Sequence, residues 1–493
     1  MSNRSFRDLR FTARLRRAPP GGELVGKSVR LARSQETLSV ADAASRTKRT
    51  IYLDCTRTFL TNVHTGIERM VSGLVHAGPT LGADFDADCQ PILFKTSTGF
   101  ETLDSQVVTQ RFRPRDPQAV GKITWRHRLR RELDRTRLIE FARGTRNALD
   151  VVAETALSPV RRFLPSKIPF GKGDIIVLLD VNVRSRYWGD LQRAREAGAE
   201  VCLCVHDLIP LSHPSTVDRG VISDFSRWWR DASQTVDYFI CNSQSTWREV
   251  QSHLPAERGQ SANPVQGRWF RLGVGLDKMR DGGAPREEIR LAFEKQHGRP
   301  TYVQVGMMSP RKNHTLALDA LDHLWLDPAA PALVIVGKYG WRCEEVANRI
   351  RQHREFGKRL FWFESVNDDE LDFCYRQSTA MLTTSFAEGF NLPIVESLSR
   401  GTPVIATDIP THREVGGRFA AYFPASDAVA LSRILMHPEI AFRQQSLVPP
   451  ESFTWPDWNE SCREFLHNVL EMSEIQHWRS EPASGATPLR RAA

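Results

Sequence analysis

Two glutamates, Glu388 and Glu396, stand eight residues apart in a stretch rich in turn-forming residues. A buried-strand pattern at 380–384 precedes them, and Pro393 is well placed as the first residue of a following helix. This order of strand, loop and helix leaves the amides of residues 389–391 at the positive end of a helix dipole, where an anion is stabilised. Amides that bind a diphosphate, beside carboxylates that accept hydroxyl hydrogen bonds, describe a nucleotide-sugar site. A helix start with two solvent-exposed glutamates would show the same pattern, so both interpretations stay open at this point.

Strand and helix patterns alternate through the second half of the chain and form the frame for these glutamates. The predicted strands cover residues 302–307, 332–336, 360–363, 380–384, 403–407 and 421–423. Each is followed by a short turn and most by a helical pattern, which favours a parallel, doubly wound sheet. Two basic residues, Arg311 and Lys312, stand in the loop after the first of these strands. Because the carboxyl ends of parallel strands meet at one edge of a sheet, this basic pair is predicted to face Glu388.

The first half of the chain shows a second run of such patterns. Its predicted strands cover residues 50–54, 174–180, 200–206, 238–242 and 268–274. Asp180 and His206 end neighbouring strands, at the edge where open α/β sheets bind ligands. Either residue could take a proton from a substrate hydroxyl, whereas a structural cap is the alternative for both. Asp207 and Gly66 are further candidates for substrate contact at this edge.

Three aspartates, Asp84, Asp86 and Asp88, suggest a metal site only at first sight. An EF-hand is excluded, because the sixth loop position is not glycine and Lys95 occupies the twelfth. We expect a polar surface turn at these aspartates and no metal.

Composition sets broad limits on the class of protein. The 493 residues carry a net charge of +9 and are 41% hydrophobic, which is ordinary for globular domains with sizeable cores. No apolar run reaches the roughly 18 residues that span a bilayer, and the N-terminus lacks the apolar core of a secretory signal. Eight cysteines without a CxxC pair predict a reduced, cytoplasmic compartment.

Arginines cluster at residues 4–17 and 126–146. These clusters could contact an anionic membrane surface, or they could form a solvated basic face. No nucleic-acid recognition motif accompanies them, so nucleic acid is not an expected partner.

The patterns predict a chain of several parts. A disordered basic segment covers 1–47, and a first Rossmann-like domain covers 48–290, with a basic insertion at about 105–167. A second Rossmann-like domain covers 298–445, a helix at 450–475 returns to the first domain, and a loose tail covers 476–493.

Taken together, the motifs resemble those of the GT-B glycosyltransferases, specifically the retaining family 4, the glycosyl transferases group 1. The block from Glu388 to Glu396 resembles the E-x7-E motif of that family, and residues 305–314, 401–405 and 413–417 resemble other segments of its donor domain. Residues 65–69 and 206–210 resemble a mannosyltransferase-like subgroup of bacterial surface polysaccharide synthesis.

The resemblance implies an α/β protein of the GT-B fold, with two facing Rossmann-like doubly wound domains and a C-terminal helix that crosses back. It implies a hexosyltransferase that moves a hexose, with mannose favoured, from a nucleotide sugar to a glycan or lipid-linked acceptor, as in lipopolysaccharide or capsule synthesis. GDP-mannose is the favoured co-substrate, and neither a cofactor nor a metal is expected. The expected location is the cytoplasm, with peripheral contact at the inner face of the cell membrane. A sugar-nucleotide epimerase or hydrolase on the same fold, or a non-catalytic GT-B scaffold, are the alternatives.

The resemblance also implies roles for individual residues. The donor-binding set is Gly306, Arg311, Lys312, Glu388, Gly389, Phe390, Asn391, Leu392 and Glu396. Arg311 and Lys312 would neutralise the diphosphate as the glycosidic bond breaks. Glu388 would contact the transferred sugar, and Glu396 would accept hydrogen bonds from the ribose hydroxyls. The acceptor-side set is Gly66, Asp180, His206 and Asp207, of which Asp180 and His206 complete the candidate catalytic residues.

Two positions depart from the family pattern. Asn391 stands where a second glycine is usual, but asparagine tolerates left-handed backbone angles, so we expect the turn to be intact. Glu364 replaces a common glycine after the third strand of the donor domain and could alter how the base is held. Residues 81–170 have no clear counterpart in the family.

Overall fold

The computed structural model describes residues 48–61, 66–104, 107–108, 166–183, 187–258, 265–275, 284–296 and 298–480. These residues all belong to one compact unit, Leu38–Ala493. The segment predicted to be disordered at 1–47, nearly all of the basic insertion at 105–167 and the chain after residue 480 lie outside the described residues. Within the described part, no helix is long and apolar enough to cross a membrane.

The described residues of the first half contain seven strands. They are β1 (Arg49–Asp54), β2 (Ala87–Lys95), β3 (Gly99–Thr102), β4 (Ile175–Leu178), β5 (Glu200–Val205), β6 (Tyr238–Cys241) and β7 (Gln266–Trp269). They form one sheet in the order β3-β2-β1-β4-β5-β6-β7, parallel except for the β2–β3 pair. Its described helices are α1 (Thr56–Thr61), α2 (Gly66–Leu81), α3 (Trp188–Glu196), α4 (Ile209–Ser212), α5 (Arg219–Thr235) and α6 (Gln244–Arg258).

The second half contains six strands, all parallel. They are β8 (Thr301–Val305), β9 (Ala332–Val336), β10 (Leu360–Phe363), β11 (Ala380–Thr383), β12 (Val404–Thr407) and β13 (Ala420–Phe423), in the sheet order β10-β9-β8-β11-β12-β13. The helices around it are α7 (Glu287–Glu294), α8 (His314–Leu324), α9 (Glu344–Gln352), α10 (Asp368–Gln377), α11 (Leu392–Leu398), α12 (Pro410–Gly416), α13 (Ala428–Met436) and α14 (Pro438–Gln444). The last helix among the described residues, α15 (Trp458–Ser480), follows them.

Burial explains why these short segments become strands. Every residue of β5, β9 and β12 is buried, as expected for parallel strands that helices cover on both faces. The capping box predicted from Asn367 and Glu370 is present at the start of α10. Two Rossmann-like halves are therefore confirmed.

The structure also corrects the prediction for residues 84–95. A polar turn is present, because Asp84 lies in a 3-10 turn and Asp86 follows it with left-handed backbone, but Asp88 already belongs to β2. Pro91 lies inside β2 opposite Leu53, and proline within a run normally argues against a paired strand. The last strand of this sheet, β7, also begins earlier and ends sooner than the predicted 268–274.

The C-terminal helix crosses back to the first half, as predicted. Phe465 packs edge-on against Phe270 with ring centroids 5.2 Å apart, and Glu471 pairs with Arg268 at 3.1 Å. The helix begins and ends later than the predicted 450–475, since α15 covers Trp458–Ser480, so the tail expected to be loose from residue 476 begins as helix. At the junction of the halves, α7 spans residue 290, and its Phe293 packs against Phe373 of α10.

Candidate active site

The basic pair follows β8 in a single 3-10 turn, Pro310–Lys312. The Lys312 side chain turns back over Gly306, where φ is +142°. A Cβ atom at residue 306 would lie 3.0 Å from Lys312 Cε, which is closer than ordinary packing allows. Glycine suits both the backbone angle and the close approach, so Gly306 makes room for the lysine that reaches the site.

Glu388 pairs with both members of the basic pair. Its Oε2 accepts a hydrogen bond from Arg311 Nη1, and its Oε1 lies 2.5 Å from Lys312 Nζ. Burial would raise the pKa of Glu388, but the charges of Arg311 and Lys312 outweigh burial and lower it to about 2. Glu388 is therefore ionised at neutral pH and is not suited to donate a proton.

This arrangement, which we call the cation cluster (Arg311, Lys312 and Glu388), is matched to phosphate chemistry. Arginine and lysine form charge-assisted hydrogen bonds with phosphate oxygens as readily as with carboxylates. A diphosphate entering the site would therefore compete with Glu388 for the same two cations.

The loop after β11 packs closely against the first half. A Cβ atom at Gly389 would lie 1.8 Å from His206 O, so only glycine allows this approach. Gly389 O accepts hydrogen bonds from Ser243 Oγ at 2.6 Å and from Thr246 Oγ1 at 3.1 Å. The cation cluster thus lies at the junction of the two halves.

A second bridge joins the halves through Glu414 of α12. Its carboxylate accepts hydrogen bonds from Gln244 N at 2.6 Å and from Ser245 N at 2.8 Å. These are the first amides of α6, which have no partner within their own helix, so Glu414 caps that helix from the other half. Sequence reasoning missed this contact, because no local pattern links residues so far apart in the chain.

Asp207 is brought to the cation cluster from the first half. Its Cβ lies 3.2 Å from the position that a Cβ atom of Gly389 would take. Burial lowers the pKa of Arg311, but the negative charges of Glu388 and Asp207 outweigh burial and raise it. The structure therefore places this predicted acceptor-side residue beside the predicted donor-binding cations.

Asp180 and His206 make the structural contacts of a cap. Asp180 accepts hydrogen bonds from Thr58 N at 2.9 Å and from Thr58 Oγ1 at 2.7 Å. These bonds hold α1, the helix that follows β1. His206 Nε2 donates to Leu179 O at 2.8 Å. Both side chains are buried, so their proposed part in acceptor chemistry stays a prediction.

Asp54 is a buried carboxyl group beside Asp180 that the sequence analysis did not single out. Burial, helped by the negative charge of Asp180, raises the pKa of Asp54 to about 7. Its position at the end of β1 is the signal that could have identified it, because Asp180 and His206 were found at the ends of neighbouring strands.

Asn391 has left-handed backbone with φ +75°, as expected for an asparagine in place of glycine. Its side chain enters a buried network: Nδ2 donates to Thr383 Oγ1 at 3.0 Å and to His412 Nε2 at 2.9 Å. His412 Nδ1 lies 2.9 Å from Thr407 O, which can only accept, so Nδ1 carries the proton and Nε2 is free to accept. Asn391 therefore links β11, α12 and the end of β12, which a glycine could not do.

This network predicts different results for two substitutions at Asn391. Asn391→Ala and Asn391→Gly both lose the two hydrogen bonds, but only alanine adds backbone strain of about 1–2 kcal/mol in the left-handed region. We expect Asn391→Ala to be less stable than Asn391→Gly by about that amount in denaturant unfolding. Equal stability of the two variants would show that the backbone angle does not decide the residue type here.

His412 predicts a pH dependence of stability. Burial lowers the pKa of His412 to about 4, below its ordinary value of about 6.5. Between these values the unfolded chain binds a proton that the folded protein does not, so stability is present above pH 6.5 and is lost as the pH falls towards 4. The free energy of unfolding should fall by about 3 kcal/mol more in the parent protein than in His412→Gln between pH 7 and pH 4. Parallel curves for the two proteins would contradict this.

The remaining donor-binding residues lie around the start of α11. Glu396 accepts a hydrogen bond from Tyr375 OH at 2.9 Å and pairs with Arg69 of the first half at 2.5 Å. The ring of Phe390 lies 6.1 Å from that of Trp455. Leu392 Cδ1 is 3.6 Å from the position of a Cβ atom at Gly66, so the predicted acceptor-side glycine contacts the donor motif.

Glu364 follows β10 and forms a surface ion pair with Arg351 at 3.2 Å. The Arg351 guanidinium also stacks over the Trp362 ring at 4.6 Å. The Glu364 side chain therefore has a surface partner at the position where glycine is common in the family. Its predicted effect on how the nucleotide base is held stays a prediction.

One stretch of the chain matches a known family. Residues 285–434 match the family model described as Glycosyl transferases group 1. In fold, the chain is similar to the crystal structure of Anabaena Alr3699/HepE in complex with UDP-glucose, with a TM-score of 0.50 and 13% identity over 87% of this chain and 100% of that one. At this identity the likeness shows the fold alone, and the predicted GT-B fold is confirmed.

Two relatives by sequence are named as mannosyltransferases. The chain is 29% identical over 304 residues to the serotype-specific mannosyltransferase WbdA of Escherichia coli, covering 61% of this chain and 37% of the relative. It is 28% identical over 179 residues to the O-antigen chain mannosyltransferase B of Escherichia coli, covering 34% of this chain and 45% of the relative. The chain thus spans little more than a third of the length of WbdA.

Proposed function

We propose that this chain, in which residues 285–434 form a Glycosyl transferases group 1 domain, is a retaining glycosyltransferase of surface polysaccharide synthesis. It moves a hexose, mannose, from a nucleotide sugar to a glycan or lipid-linked acceptor. The relatives named as mannosyltransferases support the sugar and the class of acceptor. The observation that carries the proposal is the cation cluster, because Arg311 and Lys312 converge on one buried carboxylate at the junction of the two halves.

In the proposed reaction the donor diphosphate takes over the two cations from Glu388. As the bond from the anomeric carbon to the diphosphate oxygen breaks, Arg311 and Lys312 neutralise the charge that develops on the leaving nucleotide. The released Glu388 carboxylate then accepts hydrogen bonds from the transferred sugar. These cations take the place that a metal ion would otherwise have on the diphosphate, so we propose transfer without a metal.

Retention of configuration follows from attack on the same face from which the nucleotide leaves. The acceptor hydroxyl forms the new bond to the anomeric carbon, and its proton passes to an oxygen of the leaving diphosphate. A double displacement would need a carboxylate against the anomeric carbon. Glu388 is the carboxylate nearest the cations. Because the proposed reaction uses its released oxygens as acceptors for the hydroxyls of the transferred sugar, we propose same-face attack without a covalent intermediate.

The acceptor side is assigned to Gly66, Asp180, His206 and Asp207, with GDP-mannose as the donor on the opposite side. Asp207 is the residue of this set whose charge already acts on Arg311. The protein is proposed to work in the cytoplasm, with its arginine clusters in peripheral contact with the anionic inner face of the membrane.

The first experiment is a thermal-shift panel of GDP-mannose, UDP-glucose and ADP-glucose in the presence of EDTA. A selective rise in melting temperature with GDP-mannose is expected, because a ligand that binds only the folded state stabilises it. Failure of all three nucleotides to raise the melting temperature would favour the non-catalytic scaffold.

The second experiment separates transfer from the other enzyme classes. GDP-mannose is incubated with and without a mannose-terminated alkyl glycoside, and the products are analysed by mass spectrometry and NMR. We expect an α-linked product only with the acceptor present. Free mannose formed equally well without acceptor would indicate a hydrolase, and an altered nucleotide sugar would indicate an epimerase.

A further inference from the structure

An ion-pair bridge at the junction of the halves has no part in the reaction proposed above. Arg69, in α2 of the first half, reaches Glu396 of α11, with Nη1 and Oε1 2.5 Å apart. Its Nη2 donates to Oδ1 of Asp368, the first residue of α10, at 2.8 Å. A planar guanidinium can bridge two carboxylates and fix the distance between them. Arg69 therefore ties together two helices of the second half from outside that half.

The Glu396 carboxylate is held at both of its oxygens, but from different sides. Oε2 accepts a hydrogen bond from Tyr375 OH at 2.9 Å, and Tyr375 is a fully buried residue of α10. This bond stays within the second half. The bond from Arg69 can form only while the two halves are in contact. The orientation of the Glu396 carboxylate therefore depends on that contact.

The Glu396 side chain is partly exposed beside the bridge. A small crevice beside it is lined by Arg69, Glu396 and Arg400, with the chain after β7 on its other side. The side chains of Arg69 and Glu396 are 24% and 10% exposed. A carboxylate offers about four acceptor positions, and the two bonds described use two of them, so two remain for a vicinal diol.

We propose that Arg69 is a positioning residue, which aims Glu396 at the ribose diol of the nucleotide and couples nucleotide binding to closure of the two halves. This inference rests on the proposed function and on the ribose-binding role that the family resemblance implies for Glu396. Because coupling between two equilibria is reciprocal, a nucleotide that engages Glu396 also stabilises the closed arrangement.

The test is a double-mutant-type cycle, in which one change is made in the protein and the other in the ligand. The affinities of GDP and of 2′,3′-dideoxy-GDP are measured by calorimetry for the parent protein and for Arg69→Met. In the parent, loss of the diol should weaken binding by about tenfold or more, whereas in Arg69→Met the same loss should matter less than about threefold. Arg69→Lys keeps the charge but cannot bridge two carboxylates, so an intermediate value is expected.

Arg290→Met is the matched control. Arg290 of α7 forms a surface ion pair with Glu294 at 2.6 Å, so the same substitution there should leave both affinities at their parent values. If Arg69→Met binds GDP more weakly but keeps the full effect of the diol, Arg69 does not act through Glu396 and the proposal is overturned.

A wrong assignment of the donor nucleotide would give a different experimental result from a wrong assignment of Arg69. If GDP does not bind the parent protein, the GDP-dependent function fails, and the bridge is tested without ligand. The melting temperatures of Arg69→Met, Glu396→Gln and the double variant form a second cycle. A double variant no less stable than the worse single variant supports the bridge, and strictly additive losses overturn it.

Discussion

Replacing Lys312 with methionine is expected to lower kcat by about 100- to 1,000-fold, the usual effect of removing one preorganised group that stabilises developing charge. Methionine keeps most of the apolar length of the side chain that passes Gly306, but it removes the ammonium group 2.5 Å from Glu388. Within the cation cluster, Arg311 would then be left as the one cation to neutralise the diphosphate. GDP should also bind more weakly by about tenfold, because one charge-assisted hydrogen bond is lost.

The measurements are kcat at saturating donor, GDP affinity and melting temperature. Lys358→Met is the control, because Lys358 is exposed and lies outside the site. A variant Lys312→Met that retains full transfer activity would remove the main support for the proposed function.

Replacing Glu388 with glutamine should give the opposite result for binding. The carboxylate is ionised, because the charges of Arg311 and Lys312 outweigh its burial and lower its pKa to about 2. It therefore competes with an entering diphosphate for these two cations. Glutamine removes that competition, and we expect GDP to bind at least as tightly as it binds the parent. Transfer should nevertheless fall by about 100-fold or more, because the sugar loses its charged acceptor in the transition state.

The comparison of the two variants is the informative result. Lys312→Met should lose GDP affinity and transfer together, whereas Glu388→Gln should lose transfer alone. Glu345→Gln, on the exposed face of α9, controls for loss of a carboxylate. Weaker GDP binding in Glu388→Gln would mean that the carboxylate does not compete with the diphosphate.

The carboxylates of Glu388, Glu396 and Glu414 at the junction of the two halves are all paired, but their partners come from different halves. Glu388 is paired with cations of its own half, whereas Glu414 and Glu396 find partners in the other half. Buried charges are costly unless they are paired and hydrogen-bonded. Opening of the halves would leave Glu396 and Glu414 without these partners, so the same pairs that serve the site also stabilise the closed state.

The sequence by itself determined the strand, loop and helix around Glu388 and the alternating order of both halves. These features depend on neighbours in the chain: buried apolar runs, Pro393 at a helix start and the capping box of Asn367 with Glu370. Because the carboxyl ends of parallel strands meet at one edge, the meeting of Arg311 and Lys312 with Glu388 could also be predicted.

Local sequence patterns did not predict strand β2, because turn-forming residues and a proline mask its strand pattern. β2 contains Pro91 and follows the aspartates of a turn, so its strand character came from pairing with β1 and not from its own residues. The pairing with β1 supplies backbone hydrogen bonds and burial that outweigh a weak local preference.

Only the tertiary structure decided which partners the site residues have. Arg69 with Glu396, Glu414 with the start of α6, and Asn391 with His412 join residues that lie far apart in the chain or on different elements. Asp180 and His206 likewise carried two interpretations until their contacts with Thr58 and Leu179 were known. The physical reason is that a side chain's pairing depends on distances set by the packing of whole elements, whereas residue order encodes only the conformation of each element.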